Sequence, residues 1–231
     1  MNLFFFETKQ LYTGFNKENC NKIANLQLQK GAFVALLGRN GAGKSTFIKT
    51  LARQILPLQG NFFIQNQSSS SFNAAQYSQI LAIVNTEKIQ ADFLTGWDLL
   101  VLGLYPRLGF WATLSKHDIL FIENIFEILA ITELKTKLIN ECSDGEKQLL
   151  LLARALAQNT ELLLLDEITA HLDFINREKV FKLLKKTAEL NHKLIFLATH
   201  ELNLAELYCD ELLIFQQQNC FLGQIDNLIK S

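Results

Sequence analysis

The stretch LLGRNGAGKST, Leu36–Thr46, decides the reading of this chain. Four apolar residues, Val34–Leu37, run into a glycine-rich turn, and FIKTLARQIL follows with the character of a helix. Gly38, Arg39, Asn40, Gly41, Ala42, Gly43, Lys44 and Ser45 fit G-x-x-x-x-G-K-[ST], with Thr46 next. Glycines at these places let backbone N–H groups wrap a polyphosphate, and the helix start adds its positive dipole end. Lys44 is placed to reach the β- and γ-phosphates, and the Ser45 hydroxyl to hold Mg²⁺. A strand-to-helix turn with no ligand would call for neither the lysine nor the serine.

A second segment, LLLLDE, supplies the acidic half of such a site. Its leucines read as a buried strand. Asp166 at the strand end is placed to bind Mg²⁺ through water. Glu167, one residue on, points elsewhere and can polarise an attacking water. Alone, LLLLDE is a strand ending in charged residues, which is common; the phosphate loop gives it weight. The long gap between the two segments leaves room for a whole helical insert.

The bulk composition agrees. The chain has 231 residues, 49% hydrophobic and 19% charged, with net charge −1. That suffices for one large domain with a sizeable core. There is no basic stripe to suggest nucleic acid as a partner. No apolar run is long enough to span a membrane, and MNLFFFETK has neither the basic start nor the apolar middle of a signal peptide. Cys20, Cys142, Cys209 and Cys220 have no metal or redox spacing and read as reduced, mostly buried thiols.

Along the chain, LFFFETK, NLQLQ, GAFVALLG, NFFIQN and QILAIVN read as strands, with QSSSSFN as a polar surface loop. From Asp98 to Gln158 the pattern turns helical, with HDILFIENIFEILA and EKQLLLLARALAQN the strongest segments. ELLLLDE, KLIFLATH and ELLIFQQ return as strands, separated by the helices INREKVFKLLKKTAEL and ELNLAELY. The expected fold is α/β: a phosphate-loop core with a mostly parallel sheet, an N-terminal antiparallel β part and an inserted helical part. Residues 1–85 and 159–231 form the nucleotide-binding core of one domain, and 86–158 the helical insert. No further regulatory domain is expected after FLGQIDNLIK.

Within the insert, CSDGEKQ begins a strong helix. Ser143 and Glu146 have the S-x-x-E spacing of a capping box. Gly145 permits close approach, so the same helix end can receive a phosphate. The two uses are compatible.

With these segments assembled, the chain resembles the ATP-binding cassette ATPases over nearly its whole length. GRNGAGKST resembles their first phosphate motif and LLLLDE the second, acidic one. CSDGE, including Asp144, matches their signature at the serine and the second glycine. AHLD resembles the dimer-contact loop, and LATH the segment of the switch histidine. The resemblance implies a head-to-tail homodimer. Each MgATP would lie between the phosphate loop of one copy and Ser143, Asp144, Gly145 and Glu146 of the other. Asp173 would cross the interface. His200 would contact the γ-phosphate and the water held by Glu167, although THELNLAEL reads equally as a helix start. Phe15 stands where the family stacks an aromatic on adenine; an ordinary strand-end core aromatic is the alternative.

Three departures stand out. The family has a metal-binding glutamine after the strand LAIV; Thr86 falls there, with Glu87 beside it and Gln90 four residues on. Ile168 replaces a proline, with a small expected effect. Asp144 replaces a glycine.

The segment LTGWDLLVLGLYPRLGFWATLSKHD resembles that of importer ATPases for iron–siderophore, haem and cobalamin substrates, with Gly103, Tyr105, Pro106 and Gly109 matching the layout. It reads as a groove for a cytoplasmic helix of a permease, or as a buried helical hairpin with Trp97 and Trp111 in its core. The resemblance implies an importer subunit at the cytoplasmic face of the inner membrane. It would bind integral permease subunits and, through them, serve an extracytoplasmic substrate-binding protein. A soluble cassette ATPase of the iron–sulfur assembly type and a nucleotide-dependent regulatory module are the alternatives.

Overall fold

The computed structural model describes residues 4–16, 18–85, 93–109 and 113–223. The chain opens with strands β1 (Phe6–Gly14), β2 (Cys20–Ile23), β3 (Gln27–Leu28) and β4 (Phe33–Leu37). Helix α1 (Lys44–Leu51), β5 (Gln59–Ile64), β6 (Gln67–Ser68), α2 (Ala74–Ile80) and β7 (Leu81–Val84) follow. Three long helices come next: α3 (Gly96–Leu108), α4 (Lys116–Ile128) and α5 (Asp144–Ala157). The last third alternates β8 (Leu162–Asp166), α6 (Phe174–Asn191), β9 (Leu194–Ala198), α7 (Leu202–Tyr208), β10 (Glu211–Gln216) and β11 (Asn219–Leu222).

The strands join in one sheet, ordered β6-β5-β1-β2-β11-β10-β4-β9-β8-β7, with β3 on β1. From β10 to β7 every pairing is parallel. The arm from β6 to β2 is antiparallel, and it meets the rest through the parallel pair β2–β11 and the hairpin β10–β11. The antiparallel part is therefore continuous with the main sheet and shares a C-terminal strand with it.

The continuous apolar runs follow from burial on both faces. Alternate residues of β4, β8 and β9 feed two cores. Val34, Leu36, Leu164 and Phe196 pack beneath α1 with Phe6 and Phe47. Phe33, Ala35, Leu165 and Leu197 pack beneath α6 with Phe181 and Leu184. A third core fills the helical part with Leu100, Leu104, Ile122, Phe126 and Leu150. Helix α5 serves both of the last two: Leu152 and Ala155 face the sheet, Leu150 and Ala153 the helices. Gly103 lets α3 lie close on α5, because a Cβ there would come within 2.6 Å of the Arg154 carbonyl. Trp97 stacks on Phe126, with ring centroids 6.4 Å apart.

Three local readings change. Gln79 and Ile80 end helix α2, so the strand expected from Gln79 starts at Leu81. Tyr77 is the one buried residue of that helix, so no apolar stripe announces it; an Asn73–Gln76 capping box starts it. QSSSSFN contributes strand β6 and a short 3₁₀ turn at Ser69–Ser71. β1 runs on to Gly14 through an irregularity after Lys9, where Gln10 has φ +48°.

Candidate functional site at the carboxyl ends of the parallel strands

In a parallel sheet all carboxyl ends open on one edge, which is where α/β folds bind ligands. Here β4 delivers the glycine loop to that edge. Its neighbour β9 delivers His200, and β8, next to β9, delivers Asp166 and Glu167. Residues far apart in sequence thus stand side by side.

The loop is built by left-handed backbone. Gly38, Gly41 and Gly43 have φ of +151°, +77° and +103°. A side chain at Gly38 would come within 2.6 Å of the Phe215 carbonyl. Gly43 caps α1, and no side chain accepts from the first N–H groups of that helix. Helices α2 to α6 each have such an acceptor. The α1 start is thus the arrangement that favours an anion.

Lys44 is buried and folds back onto the loop. Its Nζ donates to the Gly38 carbonyl at 2.8 Å and to the Arg39 carbonyl at 3.3 Å. Burial lowers its pKa, against the nearby charges of Glu167 and Asp166, which raise it. Next to it the Ser45 hydroxyl donates to Asp166 Oδ1 at 3.0 Å. Burial pushes the Asp166 carboxyl above the usual range; the Ser45 hydrogen bond opposes this and the Glu167 charge adds to it. Ser45 and Asp166 are hard oxygen donors held together, the chemistry Mg²⁺ selects, and an ion of that kind takes few protein ligands besides phosphate oxygens and water. The pair fits it. Thr86, the third expected metal ligand, lies outside the described residues, as do Glu87, Gln90 and Trp111.

Glu167 has φ +52°, the left-handed region, at a cost of roughly 1–2 kcal/mol for a residue with a side chain. Its N–H still donates to the Ala198 carbonyl of β9 at 3.0 Å, and the positive φ then takes the chain off the strand. The turn swings the carboxylate away from Asp166 and toward His200: Glu167 Oε1 and His200 Nε2 are 2.9 Å apart. Ile168 is buried in the core, facing away from this edge.

Two residues not singled out in the sequence hold this corner. Arg177 donates from Nε to the Leu172 carbonyl at 2.8 Å and from Nη1 to Glu201 Oε1 at 2.6 Å. It therefore ties the loop after Glu167 to the segment carrying His200. Asn21 donates from Nδ2 to the Ala42 carbonyl at 2.9 Å. A polar residue inside a short strand was the available signal for Asn21; nothing marks Arg177 among the basic residues of α6.

The signature segment sits elsewhere on the chain. Ser143 caps α5, and its reciprocal partner Glu146 accepts from the Ser143 N–H at 2.6 Å. That hydrogen bond, then the Lys137 ammonium at 2.9 Å, hold the Glu146 carboxyl below its usual range. Ser143 and Asp144 are exposed. A Cβ on Gly145 would come within 3.0 Å of the His171 carbonyl, so this glycine admits the chain's own His171 backbone and Leu172 side chain. Among the described residues, Ser143–Glu146 make no hydrogen bond to the glycine loop. Asp173 caps α6, accepting from the Asn176 N–H at 2.8 Å. Phe15 is 75% exposed, which removes the core-aromatic alternative.

Between α1, α2 and β7 on one side and α3 and α5 on the other lies a cavity of about 700 Å³, lined by Arg53, Tyr77, Asn85, Pro106 and Arg154 among others. Asn85 Oδ1 and Arg154 Nε are buried there without a hydrogen-bond partner among the described residues.

Fold and edge together define a phosphate-loop ATPase whose helical insert presents a second helix start. The ABC transporter family profile matches residues 21–170, and the chain belongs to that family. It is 30% identical over 215 residues to the petrobactin import ATP-binding protein FpuD of Bacillus anthracis, covering 93% of this chain and 79% of that one. It is 30% identical over 204 residues to the chelated iron transport system membrane protein YfeB of Yersinia pestis, covering 88% and 68%. An ABC transporter solved in an inward-facing conformation, and proposed to be of the metal-chelate type, aligns with TM-score 0.81 and 26% identity over 98% of this chain and 85% of that one. The protein is an ABC ATPase. Among the described residues, no helix is long and apolar enough to cross a membrane.

Proposed function

We propose that this chain is the ATP-hydrolysing subunit of an importer for iron–siderophore, haem or cobalamin-type substrates. The Glu167–His200 contact beside the linked Ser45–Asp166 pair carries the catalytic part of this reading. The petrobactin and chelated-iron relatives support the substrate class.

In this reading the core comprises residues 1–85 and 159–231, and 86–158 is the signature part. The N–H groups of Gly38–Thr46 and the Lys44 ammonium bind the β- and γ-phosphates. Phe15 stacks on adenine. Mg²⁺, which Ser45, Asp166 and Thr86 would hold, would supply charge neutralisation on the phosphates. Glu167 accepts a proton as the water oxygen bonds to the γ-phosphorus and the bond to the ADP oxygen breaks. His200 orients that water and the γ-phosphate. Ser143, Asp144, Gly145 and Glu146 of a second copy close the site head to tail, and Asp173 contacts that copy.

The cavity beside Arg154 is the docking place for a cytoplasmic helix of the permease. Two buried polar atoms there, unpartnered among the described residues, favour an occupant that brings both a donor and an acceptor. The assembly sits at the cytoplasmic face of the inner membrane, and an extracytoplasmic binding protein is reached through the permease. Co-expression with a many-span permease of the iron–chelate import class tests the reading. A membrane complex whose ATP hydrolysis rises with a loaded iron–chelate binding protein is expected. A chain that stays unbound to any such permease overturns it.

A further inference from the structure

A loop that cradles phosphate must turn its N–H groups inward. Its carbonyls then face outward into the protein, where each needs a donor or carries the cost of an unpaired buried acceptor. In this loop Lys44 satisfies the Gly38 carbonyl and shares that of Arg39 with the Ala42 N–H. Lys44 is also the residue the nucleotide requires, so its donation to these carbonyls competes with the ligand. The Ala42 carbonyl is different. Its donor is the Asn21 side chain, at 2.9 Å, and Asn21 belongs to another part of the sheet.

Asn21 lies in β2, opposite Thr13 of β1, in the antiparallel arm. It is 9% exposed. Its amide also fills the space beside Gly43: a Cβ on that glycine would overlap Asn21 Nδ2. Gly43 is the left-handed residue that starts α1. One side chain thus fixes the carbonyl before the helix and occupies the face of the residue that caps it.

We infer that Asn21 is a positioning residue for nucleotide binding. It presets the Ala42–Gly43 peptide so that the loop N–H groups already point at the phosphates, and it does so without touching them. This rests on the proposed seat of the nucleotide at Gly38–Ser45.

The test uses the full chain and MgADP or MgATP, with affinity read by fluorescence and stability by melting. Asn21→Leu has the same number of side-chain heavy atoms and no donor. Asn21→Asp keeps the planar shape and also has no donor when ionised. Asn21→His returns an N–H near the original place. Leu and Asp are expected to weaken both nucleotides about tenfold and to shrink the ligand-induced rise in melting temperature. Most of the hydrolytic loss should fall on KM. His is expected to recover most of the affinity. A side chain that only packs would lower the melting temperature without ligand and leave affinity alone, and His would rescue nothing. Parental affinity in either Leu or Asp, alongside binding lost in Lys44→Ala, overturns the role of Asn21 alone. Parental affinity in Lys44→Ala overturns the seat of the nucleotide, and this inference with it.

Discussion

Glu167 Oε1 lies 2.9 Å from His200 Nε2, although 33 residues separate the two. The contact depends on an unfavourable backbone. Asp166 completes β8 in register with Ala198 of β9, so a regular strand would carry the next side chain along the sheet. The left-handed φ of +52° at Glu167 breaks that course and turns the carboxylate across to His200, two residues beyond the end of β9. Asp166 stays with Ser45 and Glu167 goes to His200, which separates two adjacent carboxylates into the proposed metal and base positions.

Glu167→Gln removes the base and keeps the shape. Nucleotide binding should persist while hydrolysis falls by at least about a hundredfold, the usual scale for a positioned base. With product formation blocked, the ATP-bound dimer should accumulate and double the mass on size exclusion. Undiminished turnover would mean that another group activates the water.

The backbone strain at Glu167 is measurable apart from catalysis. Glycine accepts the left-handed region and alanine does not, so Glu167→Gly should be more stable than Glu167→Ala by about 1 kcal/mol in urea unfolding. In most exposed loops the order would be reversed by chain entropy. Equal stabilities would show that the turn relaxes when the carboxylate is gone.

Lys193 gives a pH signature away from the site. It is buried, with Nζ donating to the Thr160 carbonyl at 2.5 Å and to Asn159 Oδ1 at 2.9 Å. Burial brings its pKa down to about 8, against an ordinary 10.5. Between those values the unfolded chain holds the proton and the folded chain does not, so raising pH stabilises the fold. Below about pH 8 both states are protonated and the contribution is absent. Relative to Lys193→Gln, the parent should therefore gain on the order of 1–2 kcal/mol between pH 8 and 9.5, read from denaturant midpoints. Parallel pH profiles would rule out a titration of Lys193 in that range.

Much of this was legible because it is local or periodic. The glycine loop, the apolar strands and the S-x-x-E start of α5 each follow from spacing within a few residues. Helix α2 was hidden because only Tyr77 faces the core, leaving no stripe to read. Strand β11 was hidden because it is four residues long and follows a turn at Gln217 and Gln218, both at positive φ without glycine or asparagine. Asn21 and Arg177 were hidden for a further reason. Their partners, the Ala42 and Leu172 carbonyls, are backbone atoms, and no residue type marks an acceptor of that kind.

Phe15 offers an exposed ring at the end of β1. Phe15→Ala should weaken MgATP about tenfold, in line with the loss of one base–aromatic stack, and leave the affinity for tripolyphosphate unchanged. Folding stability should stay within about 0.5 kcal/mol, since the ring contributes little to the core. Equal weakening of both ligands would place Phe15 in the support of the loop and away from the base.

The head-to-tail arrangement is tested by complementation. Ser143 is exposed at the start of α5, and among the described residues its side chain bonds only within its own capping box. Ser143→Arg should cost about 1 kcal/mol of cap stability and leave ATP binding by the single chain intact. It should block hydrolysis, because in the head-to-tail arrangement the serine serves the nucleotide of the other copy. Lys44→Ala should fail for the opposite reason, with an intact signature and a defective loop. Each variant alone should be inactive. A dimer of one with the other contains a site in which both halves are defective and a site in which both are intact. Mixing the two should return activity, up to the share one site can supply, and the return should follow the fraction of mixed dimer as the ratio is varied. If both halves of a site came from the same chain, no mixture would contain an intact one, and activity would stay at the level of the separate variants.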